Sequence, residues 1–386
     1  MSKGSSADIV GGGVSMNFRR HAIRRAGLLG LAALGAVTTL AFAGEVAPSV
    51  SAALASSGLI TLPAANKAAT NVAPKPTPTP ATSLATAVVG QRFQVAGFGS
   101  NPGNLTMYAY IPIGLPRDAP LVVVMHGCSS SAAAMDDEPG WVGMANAYKF
   151  ALVFPETNTT NETNYGCFRS WDTNHNRRGV GESLSIRQMV EWMRQNHATS
   201  RTRTFATGFS SGAINTSVLL ASYPDVFAAG AVMSGHPYRC ASTYDEFVNC
   251  NLFTRSLTAQ AWGDLVRSAY PGYTGAYPRV SLWHGTADVI VNTYNSAELV
   301  KQWTNVHGID AVPDRSELVY GHSHYVYNNS AGTPKVELYL LSGLSHQIAI
   351  NPYGPFLPRC GVPDGFSQAT TICAAYYVAK WFGIAG

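Results

Sequence analysis

Short apolar runs that alternate with helical patterns constrain the fold of this chain more than any other feature. Uninterrupted apolar strands are typical of a sheet that is buried on both faces. The predicted strands are Leu121–Met125, Ala151–Phe154, Thr204–Thr207, Ala228–Met233, Val280–Trp283 and Val336–Leu341. The predicted helices, from apolar residues at helical spacing, are Ser183–Asn196, Gly212–Ser222, Ser296–Val306 and Ala369–Phe382. The alternation predicts an α/β fold with a mostly parallel central sheet flanked by helices.

The first 43 residues have the pattern of a secretory signal peptide. Four arginines within positions 19–25 precede an apolar run over 26–43 that ends in Ala41-Phe42-Ala43. Since a basic segment, an apolar segment and an A-x-A site together mark export, we expect cleavage near Ala43. A membrane anchor is the alternative, but the run is rich in Ala and Gly and barely long enough to span a bilayer. The pair Arg24-Arg25 also permits twin-arginine export, and Met16 is an alternative start.

Residues 44–85 are rich in Ala, Pro, Thr and Ser and include the run PKPTPTP at 74–80. Such a segment cannot bury enough apolar surface to fold, so we expect a disordered tether. The folded domain is therefore predicted over 86–386, without internal repeats. We expect a secreted or periplasmic protein with no stable membrane anchor after signal cleavage.

The charge of the chain points away from nucleic acid as a partner. The net charge of +4 owes much to the N-terminal arginines, whereas nucleic-acid binding needs a basic face on the folded domain. Charged residues make up 12% of the chain, which suits an extracellular protein that contacts neutral polymers. No motif indicates a metal, nucleotide or flavin, so no cofactor is expected. The pattern does not predict an oligomeric state.

Six cysteines follow the predicted signal peptide, and an even number in an exported chain suggests disulfides. Many pairings are possible. We favour Cys240–Cys250 and Cys360–Cys373 because each closes a short loop, which leaves Cys128–Cys167. The chain has no C-x-x-C pair, which argues against a zinc or redox site.

A G-x-S-x-G element at 208–212 places Ser210 between a predicted strand and a predicted helix. In α/β-hydrolases this setting forms a sharp turn that raises a serine hydroxyl clear of the sheet. Glycines on both sides allow close backbone approach, and the helix N-terminus favours developing negative charge. The alternative is a tight turn without chemistry. We interpret Ser210 as a catalytic nucleophile.

The partners of such a serine follow it in the order Asp then His. Asp288 follows the strand Val280–Trp283, although an Asx turn is the alternative and Asp264 is a weaker candidate because no strand precedes it. His346 lies just after the strand Val336–Leu341, at the edge where active sites of such sheets lie. The predicted triad is Ser210, His346 as acid and base, and Asp288 to fix the histidine tautomer.

Other histidines are interpreted as structural. His307 is expected to cap a helix, and His322 and His324 to be solvated in a polar loop, since no cysteine or carboxylate cluster supports a metal at this H-x-H pair. His126 precedes the serine and is expected to shape its loop.

The loop after the strand Leu121–Met125 is expected to stabilise the oxyanion. In α/β-hydrolases this loop gives one donor and the residue after the nucleophile gives the other. The predicted donors are the backbone N–H groups of Cys128 and Ser211.

Several further segments accompany these motifs. They are HGC at 126–128, SWD at 170–172, YPDVFAAGAV at 223–232, YPR at 277–279, WHGTAD at 283–288 and KQWT at 301–304. From about Leu105 to His346 the chain thereby resembles carbohydrate esterase family 1 and the related catalytic domains of poly(3-hydroxybutyrate) depolymerases. The segments from 277 onwards look especially like fungal-type acetylxylan and feruloyl esterases.

The resemblance implies an α/β-hydrolase fold and a secreted serine esterase that works through an acyl-Ser210 intermediate. The expected substrates are acetyl or feruloyl esters of xylan, with polyhydroxyalkanoate polymers or oligomers as the alternative. More distant alternatives are a peptidase and a catalytically inactive binding protein. By analogy Trp171 walls the substrate cleft, although a buried core tryptophan is an equally ordinary interpretation.

Overall fold

The structure, a computed structural model, describes residues 89–354 and 358–386. Its strands are β1 (Arg92–Val95), β2 (Thr106–Tyr110), β3 (Leu121–Met125), β4 (Ala151–Glu156), β5 (Thr204–Phe209), β6 (Ala229–Met233), β7 (Arg279–Gly285), β8 (Arg315–Val319), β9 (His322–Asn328), β10 (Pro334–Leu341), β11 (Ile348–Ile350) and β12 (Ser367–Ala369). Its helices are α1 (Ala132–Asp137), α2 (Trp141–Tyr148), α3 (Gly181–His197), α4 (Ser211–Ser222), α5 (Tyr244–Phe253), α6 (Ala259–Arg267), α7 (Asn295–Val306) and α8 (Ala374–Trp381).

One large sheet organises these elements, in the strand order β1-β2-β4-β3-β5-β6-β7-β10-β9-β8. The six strands from β4 to β10 are parallel. The strands at both edges, β1 with β2 and β9 with β8, are antiparallel. The α/β-hydrolase type of fold, with a mostly parallel sheet flanked by helices, is confirmed.

Strand β3 shows why the sequence folds in this way. Leu121, Val123 and Met125 pack on one face with α3, α4, α6 and α7. Val122 and Val124 pack on the other face with α1, α2 and α8. Because both faces are covered, every residue of the strand is buried, and each such side chain contributes about 1.5–3 kcal/mol. The sheet is thus a rigid frame with its carboxyl-terminal loops along one edge.

All six predicted strands are present, with ends that differ by up to two residues. The predicted helix Ala369–Phe382 is wrong at its start, since α8 begins at Ala374. Ala369 instead belongs to β12, which pairs with β11. The Cys373 sulfur accepts a hydrogen bond from the Tyr376 backbone N–H and so caps the helix.

The interpretation of His322 and His324 as solvated loop residues is also wrong. Both lie in β9 and are buried. His324 Nδ1 lies 2.9 Å from Glu317 Oε1, and His324 Nε2 lies 2.9 Å from Glu337 Oε2. The alternation of the strand turns both histidines inward, and the carboxylates compensate the burial of His324.

Three disulfides join the same cysteines that the sequence analysis paired. They are Cys128–Cys167, Cys240–Cys250 and Cys360–Cys373. The predicted signal peptide and tether lie outside the described residues. Of the helices that are described, none has the length and apolar character needed to cross a membrane.

Candidate active site

Ser210 occupies a strained turn between β5 and α4. Its backbone has φ 54° and ψ −120°, a conformation that non-glycine residues avoid and that concentrates at functional sites. The Ser210 N–H donates to the Met233 carbonyl oxygen at 3.0 Å, which ties the turn to the end of β6. The turn brings Ser210 to the wall of a cavity, as expected of a nucleophile at the start of a helix.

The glycines of the motif are required by packing. A Cβ atom on Gly208 would lie 2.4 Å from the carbonyl carbon and oxygen of Gly212. A Cβ atom on Gly212 would lie 2.4 Å from the Met125 carbonyl oxygen and 2.5 Å from that of His126. Helix α4 therefore packs directly on the end of β3, which brings its N-terminus to the loop that carries Cys128.

Asp288 follows β7 and is buried. Its Oδ1 accepts hydrogen bonds from the backbone N–H groups of Ile290 and Val291, both at 3.0 Å. Burial raises the pKa of this carboxyl, but hydrogen bonds from His284 and His346 outweigh that effect and hold the pKa well below its ordinary value. Asp288 is therefore an anion at any working pH. The Asx-type turn that was the alternative interpretation is also present, and it orients the carboxylate.

His346 follows β10, the parallel neighbour of β7. Its Nδ1 lies 2.8 Å from Asp288 Oδ2, and its ring packs on Phe209 with centroids 4.7 Å apart. Ser210 and His346 line the same cavity. In the part of the chain that the structure describes, no hydrogen bond joins the side chains of Ser210 and His346. Hydrogen bonds between a catalytic nucleophile and its base often become short only when substrate binds.

A second histidine also contacts Asp288. His284 is buried at the end of β7, and its Nε2 lies 2.7 Å from the Val291 carbonyl oxygen and 3.4 Å from Asp288 Oδ2. No role for His284 was predicted from the sequence. Its position at the end of a strand, four residues before Asp288, was the signal that could have identified it.

The two predicted oxyanion donors lie next to the nucleophile. Cys128 follows β3 and lines the cavity beside Ser210, while Ser211 is the first residue of α4. Within the described chain neither backbone N–H donates a hydrogen bond to a protein group. The neighbouring Ser129 N–H is already engaged, since it donates to the Tyr165 carbonyl oxygen at 2.7 Å.

His126, by contrast, is buried away from the cavity. Its Nδ1 lies 2.6 Å from the Gly127 carbonyl oxygen, and its Nε2 accepts a hydrogen bond from the Thr157 N–H at 3.1 Å. Burial lowers its pKa. The residue therefore holds the loop before Cys128 as a neutral side chain.

Two other residues considered in the sequence lie on helices. His307 caps the C-terminus of α7, and Asp264 lies exposed on α6.

The cavity at Ser210 has a volume of about 280 Å³ and a mostly apolar wall. The wall residues other than Ser210 and His346 are Cys128, Tyr165, Cys167, Phe209, Tyr244, Phe247, Val248, Asn251, Leu252, Ile290 and Phe366. None of them carries a charge. Leu252 and Ile290 are also 40% and 54% exposed, so the apolar wall continues onto the outer surface.

Trp171 is not among the residues that line this cavity. It is buried and packs behind two wall residues, with ring centroids 5.2 Å from Tyr244 and 4.6 Å from Phe247. The expectation that Trp171 touches substrate is therefore corrected. Its indole supports the aromatic wall, as the alternative interpretation of a core tryptophan required.

Helix α5 supplies five wall residues that were not predicted from the sequence. They are Tyr244, Phe247, Val248, Asn251 and Leu252. The Thr243 side chain accepts a hydrogen bond from the Glu246 N–H at 3.2 Å, so T-x-x-E at 243–246 was a readable signal for a helix start. The position of the helix over Ser210 is a tertiary property, fixed in part by Cys240–Cys250.

Comparison with known proteins agrees with this geometry. Residues 105–318 match the family model described as esterase PHB depolymerase. The chain is 43% identical to poly(3-hydroxyalkanoate) depolymerase C of Paucimonas lemoignei, over 76% of this chain and 70% of that protein. It is 35% identical to feruloyl esterase B of Talaromyces funiculosus, over 66% and 72%. The solved acetyl xylan esterase from Aspergillus awamori superimposes with a TM-score of 0.64 at 26% identity, over 77% of this chain and all of the other. The resemblance drawn from the sequence is confirmed.

Proposed function

Because this chain belongs to the esterase PHB depolymerase family, it is a carboxylic-ester hydrolase, and we propose that Ser210, His346 and Asp288 perform its chemistry. The Ser210 oxygen attacks the ester carbonyl carbon while His346 Nε2 takes the serine proton. The carbonyl oxygen becomes an anion, which the N–H groups of Cys128 and Ser211 stabilise. Such a donor is typically worth about 3–4 kcal/mol in the transition state.

The second half of the reaction uses the same groups. As the ester C–O bond breaks, His346 gives its proton to the departing alcohol, and the acyl group stays on Ser210. Water, deprotonated by His346 Nε2, then attacks the carbonyl carbon of the acyl-serine. The bond between that carbon and the Ser210 oxygen breaks, the carboxylic acid leaves, and His346 returns the proton to the Ser210 oxygen. Asp288 holds Nδ1 of His346 protonated throughout, so that Nε2 is free to exchange protons.

We propose short-chain poly(3-hydroxyalkanoate) or its oligomers as the substrate. The observation that carries this proposal is the apolar cavity at Ser210, whose wall extends to the exposed side chains of Leu252 and Ile290. A polyester repeat offers alkyl groups and ester oxygens and needs few hydrogen-bond donors. The likeness to a poly(3-hydroxyalkanoate) depolymerase at 43% identity supports the same substrate class.

Acetylated or feruloylated xylan is the second candidate. The aromatic side chains of Tyr165, Tyr244, Phe247 and Phe366 in the cavity wall favour it, because aromatic rings stack on a planar acyl group. The likeness to a feruloyl esterase and to an acetyl xylan esterase points the same way. For either polymer we propose export of the enzyme, which the signal pattern over 1–43 and the three disulfides support.

Product release from matched substrates distinguishes the two candidates. We expect release of 3-hydroxybutyrate from poly(3-hydroxybutyrate) and its trimer with a kcat/KM well above that for ferulate or acetate release from feruloylated or acetylated xylan. A higher kcat/KM for ferulate or acetate release than for 3-hydroxybutyrate release would instead identify xylan as the substrate.

Labelling tests the nucleophile independently of the substrate. An organophosphate should label the wild type and Ser330→Ala, an exposed control serine, but not Ser210→Ala. Labelling of Ser210→Ala at the wild-type rate would show that another residue is the nucleophile.

A further inference from the structure

A second cavity, of about 450 Å³, lies apart from Ser210 and shares none of its wall residues. Three arginines line it, namely Arg177, Arg178 and Arg239, together with Tyr238 and Tyr270. No aspartate or glutamate is among its wall residues. Its volume falls in the range of small-molecule sites, so the distribution of charge within it decides what it admits.

Arg178 has a partner that neutralises its charge. Its Nη1 and Nη2 lie 2.7 Å and 2.8 Å from the two carboxylate oxygens of Asp225. The guanidinium also stacks over the ring of Tyr270, 4.0 Å from its centroid. Arg178 is therefore a fixed part of the cavity wall.

Arg177 and Arg239 have no such partner: within the described residues, neither forms an ion pair. Arg177 Nε donates to the Thr173 carbonyl oxygen at 2.6 Å, and Arg239 Nη1 reaches Asn176 Oδ1 only at 3.5 Å. Burial raises the pKa of Tyr238, and the charges of Arg239 and Arg177 both oppose that rise. The guanidinium groups of Arg177 and Arg239, which no carboxylate neutralises, thus both favour the ionised form of the Tyr238 hydroxyl at the cavity.

The surrounding protein does not explain this excess of positive charge. From residue 89 to 386 the sequence has 19 Lys and Arg against 20 Asp and Glu, so the excess is local. Arg239 also adopts a left-handed backbone conformation, with φ 62°, which non-glycine residues disfavour. The turn is closed by the Cys240 N–H, which donates to the Pro237 carbonyl oxygen at 3.1 Å, and the Cys240–Cys250 disulfide anchors it.

We propose that this cavity binds a phosphate or sulfate group, with Arg177 and Arg239 as its ligands. The planar guanidinium presents parallel N–H donors that match two oxygens of such an anion. Two uncompensated positive charges balance a dianion. The group can be a free ion or part of a small molecule, and the proposal does not depend on the nature of the ester substrate.

Calorimetric titration and thermal unfolding test the site on the intact protein. The probes are inorganic phosphate, sulfate and glucose 6-phosphate, with glucose and sodium chloride at matched ionic strength as controls. We expect saturable binding of at least one oxyanion, and a rise in Tm that the controls do not produce. Tighter binding of glucose 6-phosphate than of phosphate would identify an ester-linked group, and equal or weaker binding would identify the free ion.

Variants connect the binding to the two arginines. We expect Arg177→Gln/Arg239→Gln to weaken binding at least tenfold with unchanged hydrolysis of a soluble ester. Arg177→Lys/Arg239→Lys, which retains the charges but not the paired donors, should lie between the double glutamine variant and the wild type. Arg201→Gln, at an exposed arginine outside the cavity, is the matched control and should bind as the wild type. Absence of saturable binding to the wild type, or undiminished binding to the double glutamine variant, would refute the proposal.

Discussion

His346 Nδ1 lies 2.8 Å from Asp288 Oδ2, although 58 residues separate the two along the chain. The contact arises because β7 and β10 are adjacent parallel strands, so the loops at their carboxyl ends meet. The Ile290 and Val291 N–H groups orient the carboxylate.

Replacing Asp288 by Asn should reduce kcat by a factor of about 10³–10⁴. The amide Oδ1 can still accept from Ile290 and Val291, but the NH₂ group favours the wrong tautomer of His346. The measurement is hydrolysis of p-nitrophenyl butyrate, with circular dichroism to verify the fold. Asp264→Asn, at an exposed aspartate on α6, should retain full activity. A loss of less than about tenfold in Asp288→Asn would mean that this carboxylate does not govern the histidine.

Gly212→Ala should destabilise the fold and abolish most of the activity. The new Cβ would lie 2.4 Å from the Met125 carbonyl oxygen, so α4 must move away from β3 and Ser210 with it. Gly143→Ala on helix α2 is the matched control, because its new Cβ atom would meet nothing within 4 Å. Since alanine favours a helix more than glycine does, this variant should be more stable than the wild type by about 0.5–1 kcal/mol. Thermal unfolding and esterase assays of both variants test this contrast. A Gly212→Ala enzyme with wild-type Tm would show that the predicted clash is relieved locally.

Two of the disulfides should affect different kinetic constants. Cys128 carries a proposed oxyanion donor, so Cys128→Ala/Cys167→Ala should lower kcat about 10- to 100-fold, a part of what losing the donor outright costs. Cys240→Ala/Cys250→Ala frees the anchor of α5 and should mainly raise KM. Each removal should also cost about 2–4 kcal/mol of stability. Steady-state kinetics below the Tm of each variant separate the effects, and equal losses of kcat in both would contradict the assignment of Cys128.

Glu182 should make stability fall as the pH rises. Burial raises the pKa of this carboxyl to about 8, well above its value in the unfolded chain. The folded state therefore holds one more proton than the unfolded state between about pH 4.5 and pH 8. The protonated Glu182 side chain therefore stabilises the fold fully below about pH 4.5, and this contribution is lost as the pH rises to about 8. The free energy of unfolding falls by at most about 5 kcal/mol over that range.

Glu182→Gln should remove this pH dependence, because the neutral amide can still accept from the Arg169 N–H at the position of Oε2. We expect equal Tm values near pH 4.5 and a higher Tm for the variant at pH 8. Glu191→Gln, on the same helix, is the control. Burial raises the pKa of Glu191, but hydrogen bonds and nearby arginines outweigh this effect and lower it, so the Tm of this variant should not exceed that of the wild type at pH 8. Parallel Tm curves for wild type and Glu182→Gln would rule out a proton on Glu182.

Features encoded within one short segment could be predicted from the sequence. β3 matched its predicted bounds because five consecutive apolar residues leave no polar face. Ser210 was identifiable because the turn needs glycines within two residues of it, at a strand–helix junction. Local patterning was misleading at 322–324, where the polar sequence H-S-H lies in a strand. There His324 is stabilised by the carboxylates of Glu317 on β8 and Glu337 on β10.

The sequence by itself determined the six parallel strands of the large sheet, four of the described helices, the sharp serine turn and the candidates for the partners of Ser210. Hydrophobic period and turn chemistry act over a few residues, and so these features can be read locally. Only the tertiary structure decided that His284 shares Asp288 with His346 and that α5 covers Ser210 while Trp171 stays behind its wall. It also brought Arg177 to Arg239, 62 residues away. These contacts depend on strand order, disulfide anchoring and side-chain packing between distant segments, and no period or spacing along the chain records them.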